Sequence, residues 1–378
     1  MKSCGRWEHR LKEFMRELMH HRTVVKIGSG VLTVTQADGS LEVDRNTLYR
    51  IASDIAQARK AENEIIMVSS GATALGMEAR RMRLRPESPS DLKALAAIGQ
   101  GLLLALWRSA FTKHGLDVAQ VLLTYSDFSN RQRLLKVRET LNKLLSWGVI
   151  PIINENDSIT NNEITLGDND RLASQVAKLT TSTQLLILSS VSGVLDGDGK
   201  VIPKIESVDD IQRWVRPSQS RTGRGGMLSK LESAFAAVAG GIEVVIADGR
   251  KQNVIARAVH GQSVGTRLPP TNSKVLSARQ HWIAYTLRCH GRVHIDAGAV
   301  DALLLEGASL LPVGITSIEG DFVAAQSIQI IAPDGRVLAS GLAAQSSDAM
   351  RNEMGRRGAP AVHRDDLVIN PRERETKR

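Results

Sequence analysis

Cysteine is almost absent from this sequence: Cys4 and Cys289 are the two examples among 378 residues. Two thiols so far apart in sequence build neither a disulfide framework nor a cysteine metal cluster. Aromatic residues make up 3% of the chain, and no apolar run approaches the roughly 20 residues that a membrane helix needs. These absences argue against a disulfide-rich secreted protein. They predict a cytoplasmic protein with no membrane contact and no resident metal site.

Acidic residues are outnumbered, and the formal net charge of +9 raises the question of a nucleic-acid partner. The excess lies partly in the termini, because residues 1–22 carry six Lys or Arg against three acids and residues 371–378 carry four against two. Residues 279–370 carry eight arginines, no lysine and ten acids. The charge distribution therefore disfavours RNA as a partner.

Residues 1–22 have the pattern of an amphipathic helix and lack the continuous apolar stretch of a signal peptide. We predict an N-terminal amphipathic extension that packs on the rest of the chain or on a partner subunit. Its apolar face would be formed by Trp7, Leu11, Phe14, Leu18 and Met19.

Short apolar runs alternate along the chain with longer segments of helical periodicity, such as 48–61 and 92–111. This alternation predicts an α/β fold with a mostly parallel sheet sandwiched by helices. Ligands of such folds bind at the carboxyl ends of the strands, and small, polar and acidic residues follow the runs here. The runs are TVVKI (23–27), EIIMVSS (64–70), VAQVLLT (118–124), VIPIIN (149–154), QLLILSS (184–190) and IEVVIAD (242–248).

Two glycine-rich segments border lysines. In TVVKIGSG (23–30), Lys26 lies directly before two glycines, and in TGRGGMLSK (222–230) three glycines precede Lys230 at the start of a helical pattern. Backbone N–H groups exposed beside a lysine favour an anion such as phosphate, although a surface lysine and an ordinary loop remain alternatives. The GxxxxGK[S/T] and GxGxxG patterns are missing, so neither a Walker loop nor a dinucleotide fingerprint is expected.

The character of the sequence changes after Pro269-Pro270. We predict a large α/β domain at 23–268, a linker at 269–278, a small, mainly β domain at 279–370 and a basic tail at 371–378. The PDG turn at 333–335 lies between two apolar, alternating runs, which is a strong hairpin signal.

The stretch NENDSITNNEITLGDNDRLAS (154–174) is dense in asparagine and carboxylate side chains, and it begins at the end of a predicted buried strand. Asparagine and aspartate together suit an α-amino acid, because they accept from an ammonium group and donate to a carboxylate. The carboxylates could also position Mg²⁺ or orient lysines. A solvated loop is the ordinary alternative for such a composition.

Seven segments stand along the chain in the order VVKIGSGVLT, VSSGATALGM, LKALAAIGQ, QVLLTYSDF, INENDSIT, LGDNDRLAS and GRGGMLSK. In this order and spacing, they resemble the glutamate 5-kinases of the amino-acid kinase family. Near the C-terminus, SLLPVGITSIEGDF, SSDAMR and VHRDDLVI resemble the PUA domain that many members of this group carry, and the resemblance spans roughly residues 22–370.

The resemblance implies the amino-acid kinase fold with a PUA-like domain, and ATP-dependent phosphorylation of the γ-carboxylate of L-glutamate in proline biosynthesis. It also implies ATP and Mg²⁺ as cofactors, L-proline as a feedback inhibitor and a homo-oligomer. The implied catalytic residues are Lys26, Lys230 and Asp170, and the implied glutamate-binding residues are Ser70, Gly71, Asp157 and Asn169. The implied nucleotide-binding residues are Lys26, Gly28, Ser189, Ser190, Gly223, Arg224, Gly225, Gly226, Met227 and Lys230.

This sequence departs from the family pattern on the nucleotide side. Ser189-Ser190 stands where the family usually has Thr-Asp, and Arg224 stands inside the loop that usually reads GTGGM. These two changes affect the expected strength and base preference of nucleotide binding.

The chemistry agrees with the resemblance, because a glutamate side chain has a pKa near 4.3 and is already a nucleophile at neutral pH. Catalysis then requires positioning and charge neutralisation rather than a general base. Two alternatives stay open at this point. One is a kinase for another small acid, such as an N-acylated glutamate or aspartate; the other is an RNA-binding protein with a vestigial kinase domain.

Overall fold

The computed structural model describes residues 21–36, 39–60, 63–159, 169–206, 227–270 and 289–370. The chain divides into two compact units, Met1–Thr271 and Asn272–Arg378. The predicted N-terminal extension, apart from residues 21 and 22, and the predicted basic tail lie outside the described residues, as does most of the predicted linker.

The strands of the first unit are β1 (Arg22–Ile27), β2 (Thr33–Thr35), β3 (Leu41–Val43), β4 (Glu64–Ser69), β5 (Val118–Leu123), β6 (Ile150–Glu155), β7 (Gln184–Ser189), β8 (Glu243–Asp248) and β9 (Thr266–Leu268). Its helices are α1 (Ser29–Leu32), α2 (Arg45–Arg59), α3 (Ala72–Ala79), α4 (Pro89–Thr112), α5 (Tyr125–Ser129), α6 (Arg131–Ser146), α7 (Asn169–Leu179), α8 (Met227–Ala239) and α9 (Val254–Val259).

Seven strands of this unit form one sheet in the order β5-β6-β4-β1-β7-β8-β9. Each neighbouring pair is parallel except β8–β9, which is antiparallel. The chain fills one side of β1 with β4, β5 and β6 before it crosses to β7 on the other side. The carboxyl end of β1 is therefore a topological switch point, where open α/β sheets bind ligands.

Helices cover both faces of the sheet, as predicted from the apolar runs. One core cluster joins alternate strand residues such as Val25 and Ile27 to helices α2, α3, α4 and α9. The other joins Val24 and its counterparts on neighbouring strands to helices α6, α7 and α8. This alternation follows from the period of two of a β-strand, and it produces a three-layer sandwich.

Helix α4 crosses α3 at a point where two glycines face backbone. A Cβ placed on Gly99 would lie 1.8 Å from Ala72 O, and one on Gly76 would lie 2.0 Å from Leu95 O. Helix α3 starts immediately after the end of β4, so the close crossing fixes the turn that leaves this strand.

Helix α4 is also long and apolar enough to cross a membrane by length and composition, which the search for continuous apolar runs in the sequence had missed. Part of this apolarity is buried in the first unit, through Leu92, Leu95, Leu103, Trp107 and Phe111. One face of the helix therefore packs in the core of the first unit, while Ile98 and Leu102 on the same helix are exposed.

The second unit is built on a five-stranded sheet in the order β11-β10-β12-β13-β14. Its strands are β10 (Cys289–Ile295), β11 (Ile315–Glu319), β12 (Ser327–Ile331), β13 (Val337–Leu342) and β14 (Leu367–Ile369), and its α-helices are α10 (Ala297–Asp301) and α11 (Ser347–Glu353). The predicted hairpin at 333–335 joins β12 and β13, which pair antiparallel. The mainly β fold is confirmed, while helix α11 had not been predicted.

The α3–α4 crossing generates a prediction about stability. Gly99→Ala should destabilise the protein by at least about 2 kcal/mol, because the new methyl group meets a backbone carbonyl that cannot rotate away. Equilibrium urea unfolding measures the change.

Gly101→Ala, on the same helix, is the matched control. A Cβ at Gly101 has no atom of the described structure within 4 Å, so this change should stabilise the helix by about 0.5–1 kcal/mol. Equal effects of the two substitutions would contradict the tight crossing.

Candidate active site

Three charged side chains meet at the carboxyl end of β1. Lys26 Nζ lies 2.5 Å from Asp170 Oδ1, and Lys230 Nζ lies 3.1 Å from Asp170 Oδ2. Lys26 is 4% exposed and Asp170 is 2% exposed. The structure thus brings together the three residues that the sequence analysis had assigned to catalysis.

Local structure explains why these side chains converge. Lys26 is two residues after Val24, so it lies on the sheet face that α7 and α8 cover. Asp170 is in the first turn of α7, and Lys230 is in the first turn of α8. An acid in the first turn is favoured by the free N–H groups of the helix.

The charge state of Asp170 follows from its two partners. Burial raises the pKa of Asp170, but the attraction and hydrogen bonds of Lys26 and Lys230 outweigh burial and hold this pKa below its ordinary value. One carboxylate therefore faces two ammonium groups at neutral pH. The cluster carries a net positive charge and attracts an anion.

A chain of polar side chains runs beside this cluster. Asn169 Nδ2 donates to Ser70 Oγ at 2.8 Å and to Asn154 Oδ1 at 2.9 Å, and Asn154 Nδ2 donates to Gln100 Oε1 at 2.7 Å. Ser70 and Asn169 had been assigned to substrate binding, and the structure joins them directly. Because Asn169 adjoins Asp170 in sequence, the polar chain and the charged cluster share the first turn of α7.

The turn after β4 places Ser70 and Gly71 next to the end of β1. Ser70 N donates to Ile27 O at 3.1 Å. Gly71 has a φ of +112°, a conformation that favours glycine, and it precedes the first residue of α3. Gly71 therefore allows the sharp turn that presents Ser70 to Asn169.

Asp157 lies in the turn after β6 and is half-buried. Burial raises the pKa of Asp157 to about 6, although attraction by Arg85 acts in the opposite direction. A carboxylate that is costly to ionise in the free protein is suited to a cationic group of a ligand, which would restore its usual ionisation.

The nucleotide-side residues that are described lie at the ends of β1 and β7. Gly28 N donates to Leu188 O at 3.2 Å, and a Cβ on Gly28 would lie 3.4 Å from Lys26 Nζ. Glycine therefore keeps the space beside this ammonium group open. Ser189 is buried at the end of β7, whereas Ser190 is exposed.

The other residues predicted to bind the nucleotide lie largely outside the described residues. Gly223, Arg224, Gly225 and Gly226 are not described, so their predicted nucleotide contacts stay predictions. Met227 is described as the first residue of α8, which Lys230 shares.

Sequence reasoning had given no role to three residues that the structure places here. Asn154 and Gln100 belong to the polar chain, and both stand in quoted motifs, INENDSIT and LKALAAIGQ. Arg250 follows β8, and its Nη2 donates to Gly30 O at 2.7 Å. The sequence could have indicated Arg250 by its position just after the end of a predicted strand.

The side chains that the structure describes do not form a site for a metal ion held by the protein alone. Across the described ranges, no group of three or more His, Cys, Asp or Glu side chains is placed to bind a metal. Both oxygens of Asp170 already contact lysines. No chemical step is therefore assigned to a metal ion here.

Comparison with known proteins agrees with this geometry. A model of the amino acid kinase family matches residues 21–248, and a model of the PUA domain matches residues 291–363. The chain belongs to the amino acid kinase family. The PUA match coincides with the β-rich second unit of this kinase.

Curated relatives extend the match over nearly the whole kinase chain. The glutamate 5-kinase of Trichlorobacter lovleyi is 42% identical over 368 residues, which cover 92% of this chain and 96% of the relative. The glutamate 5-kinase of Synechococcus sp. is 40% identical over 366 residues, covering 92% and 99%.

Among solved structures, the carbamate kinase from Giardia lamblia bound to AMP-PNP has a TM-score of 0.50 at 16% identity, covering 67% of this chain and 99% of that chain. At this identity the similarity concerns the fold.

The pKa of Asp157 generates a prediction about stability. A carboxyl group whose folded pKa exceeds its unfolded value stabilises the protein at low pH, and this contribution is lost as the pH rises through about 6. Asp157→Asn should therefore gain stability relative to the wild type as the pH rises from about 4.5 to about 7.5. The gain should be at most about 3 kcal/mol, since one pKa unit corresponds to about 1.4 kcal/mol.

Urea unfolding at several pH values measures this difference. Glu87→Gln is the control, because Glu87 is exposed in the same unit. If the difference between Asp157→Asn and the wild type stayed constant with pH, the raised pKa of Asp157 would be wrong.

Proposed function

We propose that this amino acid kinase transfers the γ-phosphoryl group of ATP to the γ-carboxylate of L-glutamate. The product is L-glutamyl 5-phosphate, and the reaction is the first step of proline biosynthesis. One observation carries the proposal: two lysines share one buried carboxylate at the sheet's switch point. The alignment of 92% of the chain with glutamate 5-kinases supports it.

In the proposed mechanism, the charged cluster lowers the barrier by neutralising charge. A γ-carboxylate oxygen attacks the γ-phosphorus, the bond from this phosphorus to the β–γ bridging oxygen breaks, and ADP leaves. The nucleophile is ionised at neutral pH, so no side chain needs to remove a proton. Lys26 and Lys230 contact the anionic phosphates, and Asp170 holds both ammonium groups in place.

The amino-acid side of the proposal rests on Asp157, Asn169, Ser70 and Gly71. An ionised Asp157 pairs with the free α-ammonium group of glutamate. Ser70 and Asn169 supply hydrogen bonds to the α-substituents. An N-acylated glutamate has no ammonium group, so the position of Asp157 in a partly buried turn favours the free amino acid.

On the nucleotide side, we assign ATP to the edge formed by Gly28, Ser189, Ser190 and Met227, together with Lys26 and Lys230. We also assign residues 223–226, including Arg224, to the ATP-binding site. Since Ser190 replaces the usual aspartate, selectivity among purine nucleotides should be relaxed. Mg²⁺ enters this proposal as an ion carried by the nucleotide phosphates, which is common for Mg²⁺ in kinases.

The wider biology of the proposal follows that of the family. We propose a cytoplasmic enzyme that forms a homo-oligomer and is inhibited by L-proline in competition with glutamate. RNA binding through residues 279–370 receives no support from their charge, because they carry more acids than arginines and no lysine.

A substrate panel tests the proposal. The purified protein is given ATP and Mg²⁺ with L-glutamate, L-aspartate or N-acetyl-L-glutamate, ADP release is followed, and acyl phosphate is trapped with hydroxylamine. The proposal predicts trapped product with L-glutamate and little with the other two acids. Preference for N-acetyl-L-glutamate, or ADP release that does not depend on any acid, would overturn it.

The two lysines generate a separate prediction. Lys26→Ala and Lys230→Ala should each lower kcat by on the order of 100-fold or more, because both ammonium groups neutralise charge that peaks in the transition state. Lys26→Arg and Lys230→Arg should rescue poorly, since a planar guanidinium does not replace a compact ammonium group.

Steady-state kinetics at saturating glutamate and ATP measure these losses. Lys60→Ala, at an exposed position after α2, is the control and should behave like the wild type. Near-normal turnover in either alanine variant of the pair would remove that lysine from the mechanism.

A further inference from the structure

The polar chain beside the charged cluster begins at Gln100 on α4. It passes through Asn154 at the end of β6 and reaches Asn169 on α7. Asn154 and Asn169 are 2% and 3% exposed, so water does not compete for their amide groups. Each amide in the chain therefore depends on its neighbour for its hydrogen bonds.

The hydrogen bonds of Asn169 and Ser70 determine which donor and acceptor atoms remain for a ligand. Both hydrogens of Asn169 Nδ2 are used, one by Ser70 Oγ and one by Asn154 Oδ1. Asn169 Oδ1 is buried, and no donor among the described residues reaches it. Ser70 Oγ accepts from Asn169, so its own hydrogen remains able to donate. The pair thus offers one buried acceptor and one hydroxyl donor.

The same side chains could be arranged with the opposite polarity. If the Asn154 amide rotated by half a turn, its Nδ2 would face Asn169, and Asn169 would have to rotate as well to avoid two opposed donors. Asn169 would then present Nδ2 where it now presents Oδ1, and Ser70 would use its hydrogen within the protein. A ligand ammonium group would meet a donor in place of an acceptor.

Gln100 is the partner of Asn154 at the far end of the polar chain. Its Oε1 accepts from Asn154 Nδ2 at 2.7 Å, which turns Asn154 Oδ1 toward Asn169. Gln100 lies on α4, the helix held against α3 by the glycine crossing at Gly99. The first side chain of the polar chain therefore belongs to a closely packed helix.

We propose that Gln100 is a positioning residue: through Asn154 it fixes the orientation of the Asn169 amide, so that Asn169 Oδ1 accepts from the α-ammonium group of the substrate. This inference rests on the proposed function, because it names the ammonium group of glutamate as the ligand. Gln100 acts through Asn154 and Asn169, and it makes the pocket selective for an amino acid over an acid without the amino group.

The test compares L-glutamate with glutarate, which has both carboxylates and no ammonium group. Gln100→Met is nearly isosteric and removes the hydrogen-bonding groups. It should raise the KM for L-glutamate by about tenfold while kcat and the KM for ATP change by less than about threefold, because a hydrogen bond to a charged group is lost in binding. The KM for glutarate should stay within about threefold of the wild type, because glutarate makes no such bond.

A conservative variant supplies the rescue. Gln100→Glu keeps an acceptor toward Asn154 and cannot donate, so it should retain the wild-type preference for L-glutamate over glutarate. Gln57→Met, at an exposed position of α2, controls for a general effect of the substitution. Thermal unfolding verifies that each variant is folded. If Gln100→Met does not fold, the preference measured in Gln100→Glu still decides the question.

Three results would overturn the inference. They are an equal rise in KM for both acids in Gln100→Met, a wild-type preference in that variant, or a lost preference in Gln100→Glu. A wild-type protein without glutamate-dependent ATP turnover would instead refute the proposed function, so the two failures are distinguishable.

Discussion

A buried carboxylate, that of Asp170, holds two lysines that are separated by about half of the chain. Lys26 lies near the end of a central strand and Lys230 lies in the first turn of a helix. Neither would be stable so close to the other without an anion between them. The pKa of Asp170 stays low in spite of its burial because these two ammonium groups surround it. The positions of β1, α7 and α8 are therefore tied to one electrostatic requirement, and the proposed phosphoryl transfer depends on it.

The strand order of the sheet determines where Asp170 and the two lysines meet. Strand β1 lies between β4 and β7. The strands β4 to β6 lie on one side of β1, and the strands β7 to β9 lie on the other. The carboxyl end of β1 is consequently flanked by two different sets of loops. Ser70 and Asp157 follow the strands on one side, and Ser189 and Ser190 follow the strand on the other. In the proposed enzyme, this arrangement separates an amino-acid side from a nucleotide side, with the lysines between them.

Much of this arrangement could be predicted from the sequence, for physical reasons. Parallel strands buried on both faces read as apolar runs, so β1 and β4 to β8 were predicted to within a residue or two. The charged residues stood in motifs with recognisable spacing. The polar chain from Gln100 to Asn169 could not be predicted, because its partners are 54 and 15 residues apart and meet only through the sheet order. Helix α11 was missed because its seven residues are too few for a clear helical period.

The central claim is that Asp170 keeps two ammonium groups ready for the transferring phosphoryl group. It is tested most directly by the turnover of Asp170→Asn, which keeps the size of the side chain and removes its charge. The account predicts that kcat for glutamate-dependent ATP turnover falls by on the order of 100-fold or more, because Lys26 and Lys230 then repel each other and leave their positions. Turnover within about threefold of the wild type in a folded Asp170→Asn protein would contradict it. Such a result would show that catalysis does not depend on the charge of Asp170.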